Sequence, residues 1–187
     1  VVGQLGRVME DLNGRSDVNT IVFEGAGKAF VAGADVKFFV DMIREDSFDK
    51  IEEFTKDGHR VLNMIEDSPH TTIALTTGLA LGGGLELALS CDYRVGTEKT
   101  MLRFPETSIG IYPGLGGTQR ATRVCGIEAA RFAVLAGNFM DAPTATALES
   151  ISVTRVSTWS PCSNKSSGPM SRMALSLSLI HISEPTR

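Results

Sequence analysis

The sequence has no excess of positive charge, no paired cysteines and no long apolar run, and each absence removes a class of function. A formal net charge of −4 leaves no footprint for a nucleic-acid partner, although a local basic patch can still meet an anionic ligand. The three cysteines, Cys91, Cys125 and Cys162, are odd in number and lack the spacing of a zinc site or a CxxC pair. Reduced thiols and no metal are therefore expected. No stretch approaches the roughly 18 to 20 apolar residues of a membrane span, and the first residues carry no signal-peptide pattern. The expectation is a cytoplasmic protein, or one of the mitochondrial matrix in a eukaryote, without a membrane partner.

Phosphate-binding loops are lacking too. Gly25-Ala26-Gly27-Lys28-Ala29 misses the first glycine and the Ser/Thr of a Walker A loop, and Gly114-Leu115-Gly116-Gly117-Thr118-Gln119 fails the GxGxxG spacing. His59 and His70 have no nucleophile nearby in the pattern, so a Ser or Cys hydrolase finds no support; Cys91 is expected in the core.

What is present begins with an ordinary globular composition, 187 residues of which 42% are hydrophobic and 21% charged, enough for one domain with a sizeable core. The chain opens at Val1 inside a helical pattern, with Leu5, Val8, Met9 and Leu12 on one face, and upstream sequence is expected to be missing. From residue 150 to 176 serine dominates and the hydrophobic period disappears, as after a frameshift or in a non-native stretch. Residues 177–187, ending in Ile182-Ser183-Glu184-Pro185-Thr186-Arg187, resemble the in-frame translation of a transposase-type sequencing adapter and are set aside from fold reasoning. The expected organisation is a partial core over 1–149 followed by those two segments.

Within 1–149 the pattern reads as strand, glycine turn and helix, repeated. Val18 to Phe23 is β-rich and closes on a turn at Glu24-Gly25. A helix over about 48–66 stops before Ser68-Pro69, and Thr72 to Leu75 restarts a strand. Gly82-Gly83-Gly84 opens a buried helix, followed by strand pieces at 93–95 and 100–104. Pro113-Gly114 begins a further helical stretch, 126–136 gives a short amphipathic one, and Asp141 with Pro143 marks a last helix start.

Two acids stand beside these glycines. Gly82-Gly83-Gly84-Leu85-Glu86 places unhindered amides at a helix start, where unpaired N–H groups attract developing negative charge. A flexible turn is the plainer account, but Leu79, Leu81, Leu85 and Leu87 make the flanks apolar, unlike a linker. Glu86 alone is an acid favoured by the helix dipole, and Glu106 alone is a solvated turn acid. Flanked by two Gly-rich turns, the two can converge, and paired carboxylates in an apolar site divide acid and base roles.

The blocks Lys28-Ala29-Phe30-Val31-Ala32-Gly33-Ala34-Asp35-Val36-Lys37, Ala80-Leu81-Gly82-Gly83-Gly84-Leu85-Glu86-Leu87-Ala88, Phe104-Pro105-Glu106 and Gly110-Ile111-Tyr112-Pro113-Gly114-Leu115-Gly116-Gly117-Thr118-Gln119-Arg120 resemble, in this order, the crotonase (enoyl-CoA hydratase/isomerase) superfamily. The resemblance implies an α/β fold, a crotonase-like superhelix of stacked ββα turns, here truncated at both ends, assembled as a homotrimer or hexamer. It implies Glu86 and Glu106 as the acid/base pair and the amides of Ala34 and Gly83 as the oxyanion hole. Lys28, Ala32, Lys37 and Gly114 would bind the coenzyme A of an acyl-CoA thioester substrate, with no permanently bound cofactor. The implied activity is hydration of trans-2-enoyl-CoA in fatty acid beta-oxidation, with a Δ3,Δ2-enoyl-CoA isomerase or an inactive acyl-CoA-binding module as alternatives. The Tyr112-Pro113-Gly114-Leu115-Gly116 form is similar to modules fused to a 3-hydroxyacyl-CoA dehydrogenase.

Overall fold

Two short strands followed by a helix form the repeating unit of the computed structural model, which describes residues 1–33, 35–148, 152–153 and 177–182. In the first unit β1 (Thr20–Gly25) and β2 (Ala29–Val31) lead to α2 (Val36–Arg44) and α3 (Phe48–Glu66), after an opening helix α1 (Val2–Asn13). In the second, β3 (Thr71–Thr76) and β4 (Leu79–Leu81) lead to α4 (Gly83–Leu89). In the third, β5 (Tyr93–Gly96) and β6 (Met101–Arg103) lead through a 3-10 turn (Glu106–Ile109) to α5 (Gly117–Ala136). A fourth starts with β7 (Met140–Asp141) and α6 (Ala142–Ala147), and β8 (Ser152–Val153) and β9 (Leu177–Ile182) complete the strands.

The two strands of each unit go to different sheets. The first strands β1, β3 and β5 lie with β8 and β9 in a five-stranded sheet in the order β8-β5-β3-β1-β9, and the second strands β2, β4 and β6 lie with β7 in a four-stranded sheet in the order β2-β4-β6-β7. Pairing is parallel from unit to unit, with Thr20 opposite Thr71, Ile73 opposite Tyr93 and Ala80 opposite Leu102; β6 and β7 alone run antiparallel among the described strands. This is the stacked ββα architecture that the motif blocks imply. Strand β1 continues through Glu24-Gly25, where a turn is expected from sequence, and the chain turns at 26–28 instead. A Cβ on Gly25 would run into the carbonyl oxygens of Ala29 and Phe30, so the bare glycine lets β2 double back closely over β1.

Ile21, Phe23, Phe30, Ala74, Ala80, Leu85, Leu102 and Phe104 form the core between sheets and helices. Helix α3 has the bounds its periodicity predicts and buries Val61, Leu62 and Ile65. Against it α1 buries Met9 and Leu12, with Gly6 brought close to Val61; Val8, expected on the same face, is exposed at the rim of the stripe. Helix α2 is not anticipated by the pattern, because the consecutive run Phe38-Phe39-Val40 hides any helical period. It starts where the Asp35 carboxylate accepts the Lys37 amide at 2.9 Å, and Phe38 and Phe39 pack with Phe54 of α3. The division expected at Gly126 appears as a break within α5, where Gly126 has φ 78° and ψ 167°. Asp141 caps α6 by accepting the Thr144 amide at 3.0 Å, as its spacing from Pro143 predicts.

Most of 150–176 lies outside the described residues, as do 183–187. Residues 177–182, set aside on sequence grounds, pair in parallel with β1 from Thr20 opposite Leu177 to Gly25 opposite Ile182. That pairing is made by backbone groups and is indifferent to the origin of the segment.

Candidate active site

Glu86 sits in the first turn of α4, where the glycines preceding it leave the backbone bare, and its side chain is buried with the residue 2% exposed. Gly82 has φ +51°, a conformation that favours glycine, and a Cβ there would come within 2.8 Å of Glu106 Oε1. Gly84 is equally constrained, since a Cβ would strike the Val31 carbonyl oxygen of β2. The triple glycine is thus a tightly packed corner, with a second strand on one side and the Glu106 carboxylate on the other.

Glu106 opens the 3-10 turn after β6 and is 9% exposed. The Gly82 amide donates to the Arg103 carbonyl at 2.9 Å, and this backbone bond fixes the glycine corner against the end of β6, three residues before Glu106. The two carboxylates that the sequence suggested could converge do so at this corner. A Cβ on Gly83 would lie 3.9 Å from Glu86 Oε2, while Glu106 faces the adjacent Gly82.

The two acids have unequal surroundings. Glu86 Oε1 accepts the amides of Leu115 at 2.7 Å and Gly117 at 2.8 Å, at the N-terminus of α5. Unpaired N–H groups and the positive end of the dipole at such a terminus stabilise an anion. Burial pushes the Glu86 carboxyl above the ordinary range, and the Gly117 and Leu115 amides and the Arg120 guanidinium act against that rise. Glu106 differs: among the described residues its Oε2 is buried without a hydrogen-bond partner. Burial raises its carboxyl, its own amide lowers it, and the Glu86 charge raises it further. One carboxylate is held as an acceptor by two N–H groups, and the other is raised by burial and by the charge of its neighbour.

The remaining sequence candidates take different positions. Gly83 is the first residue of α4, so its amide has no acceptor within the helix ladder. Ala34 lies outside the described residues. Lys28 is exposed in the turn between β1 and β2, Ala32 is exposed beyond β2, Lys37 is exposed in the first turn of α2, and Gly114 is exposed before α5. Neither lysine forms an ion pair among the described residues. Cys91 is in the core, its thiol donating to the Leu87 carbonyl and pushed up by burial, and His70 Nε2 is bonded to the Leu12 carbonyl. Sequence reasoning assigned no role to the Leu115 and Gly117 amides or to Arg120. The signal was present only as the Gly-rich start of α5, because which side chain an amide serves depends on tertiary contact.

Comparison with known proteins agrees with the fold. The family described as enoyl-CoA hydratase/isomerase matches residues 1–155. The chain is 38% identical over 125 residues to the fatty acid oxidation complex subunit alpha of Psychrobacter arcticus, an alignment covering 67% of this chain and 17% of that protein. It is 41% identical over 126 residues to an enoyl-CoA isomerase/hydratase of Mycosarcoma maydis, covering 67% of this chain and 44% of the relative. A crystal structure of enoyl-CoA hydratase from Bacillus anthracis superposes with a TM-score of 0.77 at 32% identity, covering 83% of this chain and 59% of that one. The chain thus spans less than two thirds of the length of each of these proteins.

Proposed function

The chain belongs to the enoyl-CoA hydratase/isomerase family, and from that premise we propose that its parent protein hydrates trans-2-enoyl-CoA to 3-hydroxyacyl-CoA in fatty acid beta-oxidation. The observation that carries this reading is the unequal pair of buried carboxylates, Glu86 gripped by two amides and Glu106 with an oxygen that has no partner among the described residues. Hydration needs one group that takes a proton from water and another that gives one to carbon. Glu86 takes the water proton as the hydroxide oxygen bonds to the β carbon. The C=C electron pair moves to the thioester oxygen as an enolate, and the enolate then collapses to take the Glu106 proton at the α carbon. The proton now on Glu86 is returned to Glu106 through solvent, so the net addition is one water.

The enolate oxygen would lie between the amides of Gly83 and Ala34, each such donor being worth about 2.7 to 4 kcal/mol of transition-state stabilisation. Lys28 and Lys37 would meet the phosphates of coenzyme A, with the adenine against backbone near Ala32 and the acyl thioester passing Gly114. The exposure of the two lysines, neither in an ion pair among the described residues, supports that use. Coenzyme A arrives as part of the substrate, and none of these steps calls for a resident cofactor. Ile127, Phe132 and Leu135 of α5 are exposed apolar residues that support assembly into a trimer or hexamer. The match to a small part of a fatty acid oxidation subunit supports a fusion to a dehydrogenase.

The name of the Mycosarcoma maydis relative favours a second reading, shifting the double bond of a 3-enoyl-CoA with one working carboxylate. Full-length protein supplied with crotonyl-CoA and, separately, a 3-enoyl-CoA tests both. Formation of 3-hydroxybutyryl-CoA supports the hydratase, 2-enoyl product without hydration supports the isomerase, and binding without turnover of either sinks both in favour of a binding module.

A further inference from the structure

Arg120 is buried, at 4% exposure, and its guanidinium donates to α3 and to the turn just before α5. Its Nε donates to Glu66 Oε2 at 2.8 Å and its Nη2 to Asn63 Oδ1 at 2.7 Å, both on α3. Its Nη1 donates to the carbonyl of Leu115 at 2.8 Å. Leu115 is the residue whose amide, together with that of Gly117, holds Glu86. Between them Gly116 has φ +94°, and a Cβ there would press to 2.5 Å from Arg120 Nη1, so the turn is shaped to let the guanidinium lie across it.

We propose that Arg120 is a positioning residue for Glu86: anchored on Glu66 and Asn63, its planar fork holds the Leu115 carbonyl and so aims the Leu115 and Gly117 amides at the carboxylate. A buried guanidinium is costly unless each face of its fork is satisfied, and here the satisfied partners are two side chains of α3 and the catalytic turn. The connection from Glu66 through Arg120 and Leu115 to Glu86 is continuous. Among the described residues the charged group that acts on the Glu86 carboxyl is Arg120 of α5, which opposes its rise, and the Glu86 charge in turn raises the carboxyl of Glu106 in the 3-10 turn. Losing Arg120 therefore removes the charge opposing protonation of Glu86 as well as the clamp on its donors. The kinetic part of this inference rests on the hydratase reading; the structural part does not.

The test uses Arg120→Gln, Arg120→Lys and Glu66→Gln in the full-length protein. Amide hydrogen exchange at Leu115 and Gly117 should accelerate in Arg120→Gln while amides in the rest of α5 keep their rates. With crotonyl-CoA, kcat should fall by about tenfold to a hundredfold at nearly unchanged KM, the size expected when a catalytic group is misplaced. The acid limb of the kcat profile should move to higher pH. Arg120→Lys keeps the charge but not the fork, so it should restore the acid limb and only part of kcat. Should Arg120→Gln not fold, Glu66→Gln, which removes one anchor and leaves the guanidinium, should give the same pattern at smaller size. Normal protection of both amides in the folded variants, or a kcat loss matched by the unfolded fraction alone, overturns the proposal and leaves Arg120 as a tie between helices. If the unsubstituted protein does not turn over crotonyl-CoA, the activity reading fails, and exchange at the two amides still decides the role of Arg120.

Discussion

Gly117 and Glu86 are in such close contact that a single methyl group cannot be placed between them. The Gly117 amide donates to Glu86 Oε1 at 2.8 Å, and a Cβ on Gly117 would lie 2.9 Å from that oxygen, from Glu86 Cγ and from the Phe104 ring. The glycine is therefore required by its neighbours, because its conformation is helical and any residue could adopt it. Gly117→Ala is expected to destabilise the fold by about 1 to 3 kcal/mol, the usual range for overpacking a close-packed site. It should also displace the carboxylate, so turnover should fall further than the fraction folded. Denaturant unfolding measured beside turnover checks this; a variant as stable and active as the parent would show that the corner yields.

Glu86→Gln and Glu106→Gln should each lower hydration by about a hundredfold or more with substrate binding nearly intact, since general acid/base groups contribute 10² to 10⁴-fold. The losses should not add, because both groups act on one developing enolate. In the unsubstituted protein kcat/KM should be bell-shaped, rising as Glu86 ionises and falling as Glu106 loses its proton. Full hydratase activity in Glu86→Gln would sink the paired-acid mechanism and leave the isomerase reading.

Burial of Glu106 also has a stability consequence whose sign is determined. Its carboxyl is raised in the folded chain by burial, with the Glu86 charge adding to the rise, so the native state binds the proton more tightly than the unfolded state. Stability is then greatest below the unfolded carboxylate value and falls as pH rises through the raised native one. Glu106→Gln should flatten that fall and be more stable than the parent near neutral pH by about 0.5 to 2 kcal/mol, the range seen when a functional site is relieved. Urea unfolding from about pH 4 to pH 8 reads the slope, and identical slopes in the two proteins would refute the assignment.

Lys28, just before β2, and Lys37, in the first turn of α2, are both exposed. Replacing both with Ala should weaken coenzyme A binding at low salt and flatten its dependence on ionic strength, because exposed charges attract phosphates through a screened field. Titration calorimetry at two salt concentrations measures both effects. Unchanged affinity at low salt would remove the lysines from the site without touching the carboxylate corner.

Some of this protein could be read from local pattern, and some could not. Helix α3 was legible in full because nineteen residues repeat one apolar face up to Ser68-Pro69, and the cap at Asp141 because Asp and Pro have local reasons to begin a helix. Helix α2 was not, since its three consecutive apolar residues carry no period and its contacts with Phe54 lie far along the chain. The two acids were identifiable as a pair from the ordered motif blocks, each beside a glycine turn. Their different surroundings were decided by tertiary structure alone. Glu86 acquires its donors from Leu115 and Gly117, about thirty residues away along the chain, and Glu106 is buried against Gly82 with one oxygen unpartnered among the described residues. Local propensity and spacing act over a few residues, whereas desolvation and hydrogen bonding at a buried carboxylate are properties of whatever segments the fold brings around it.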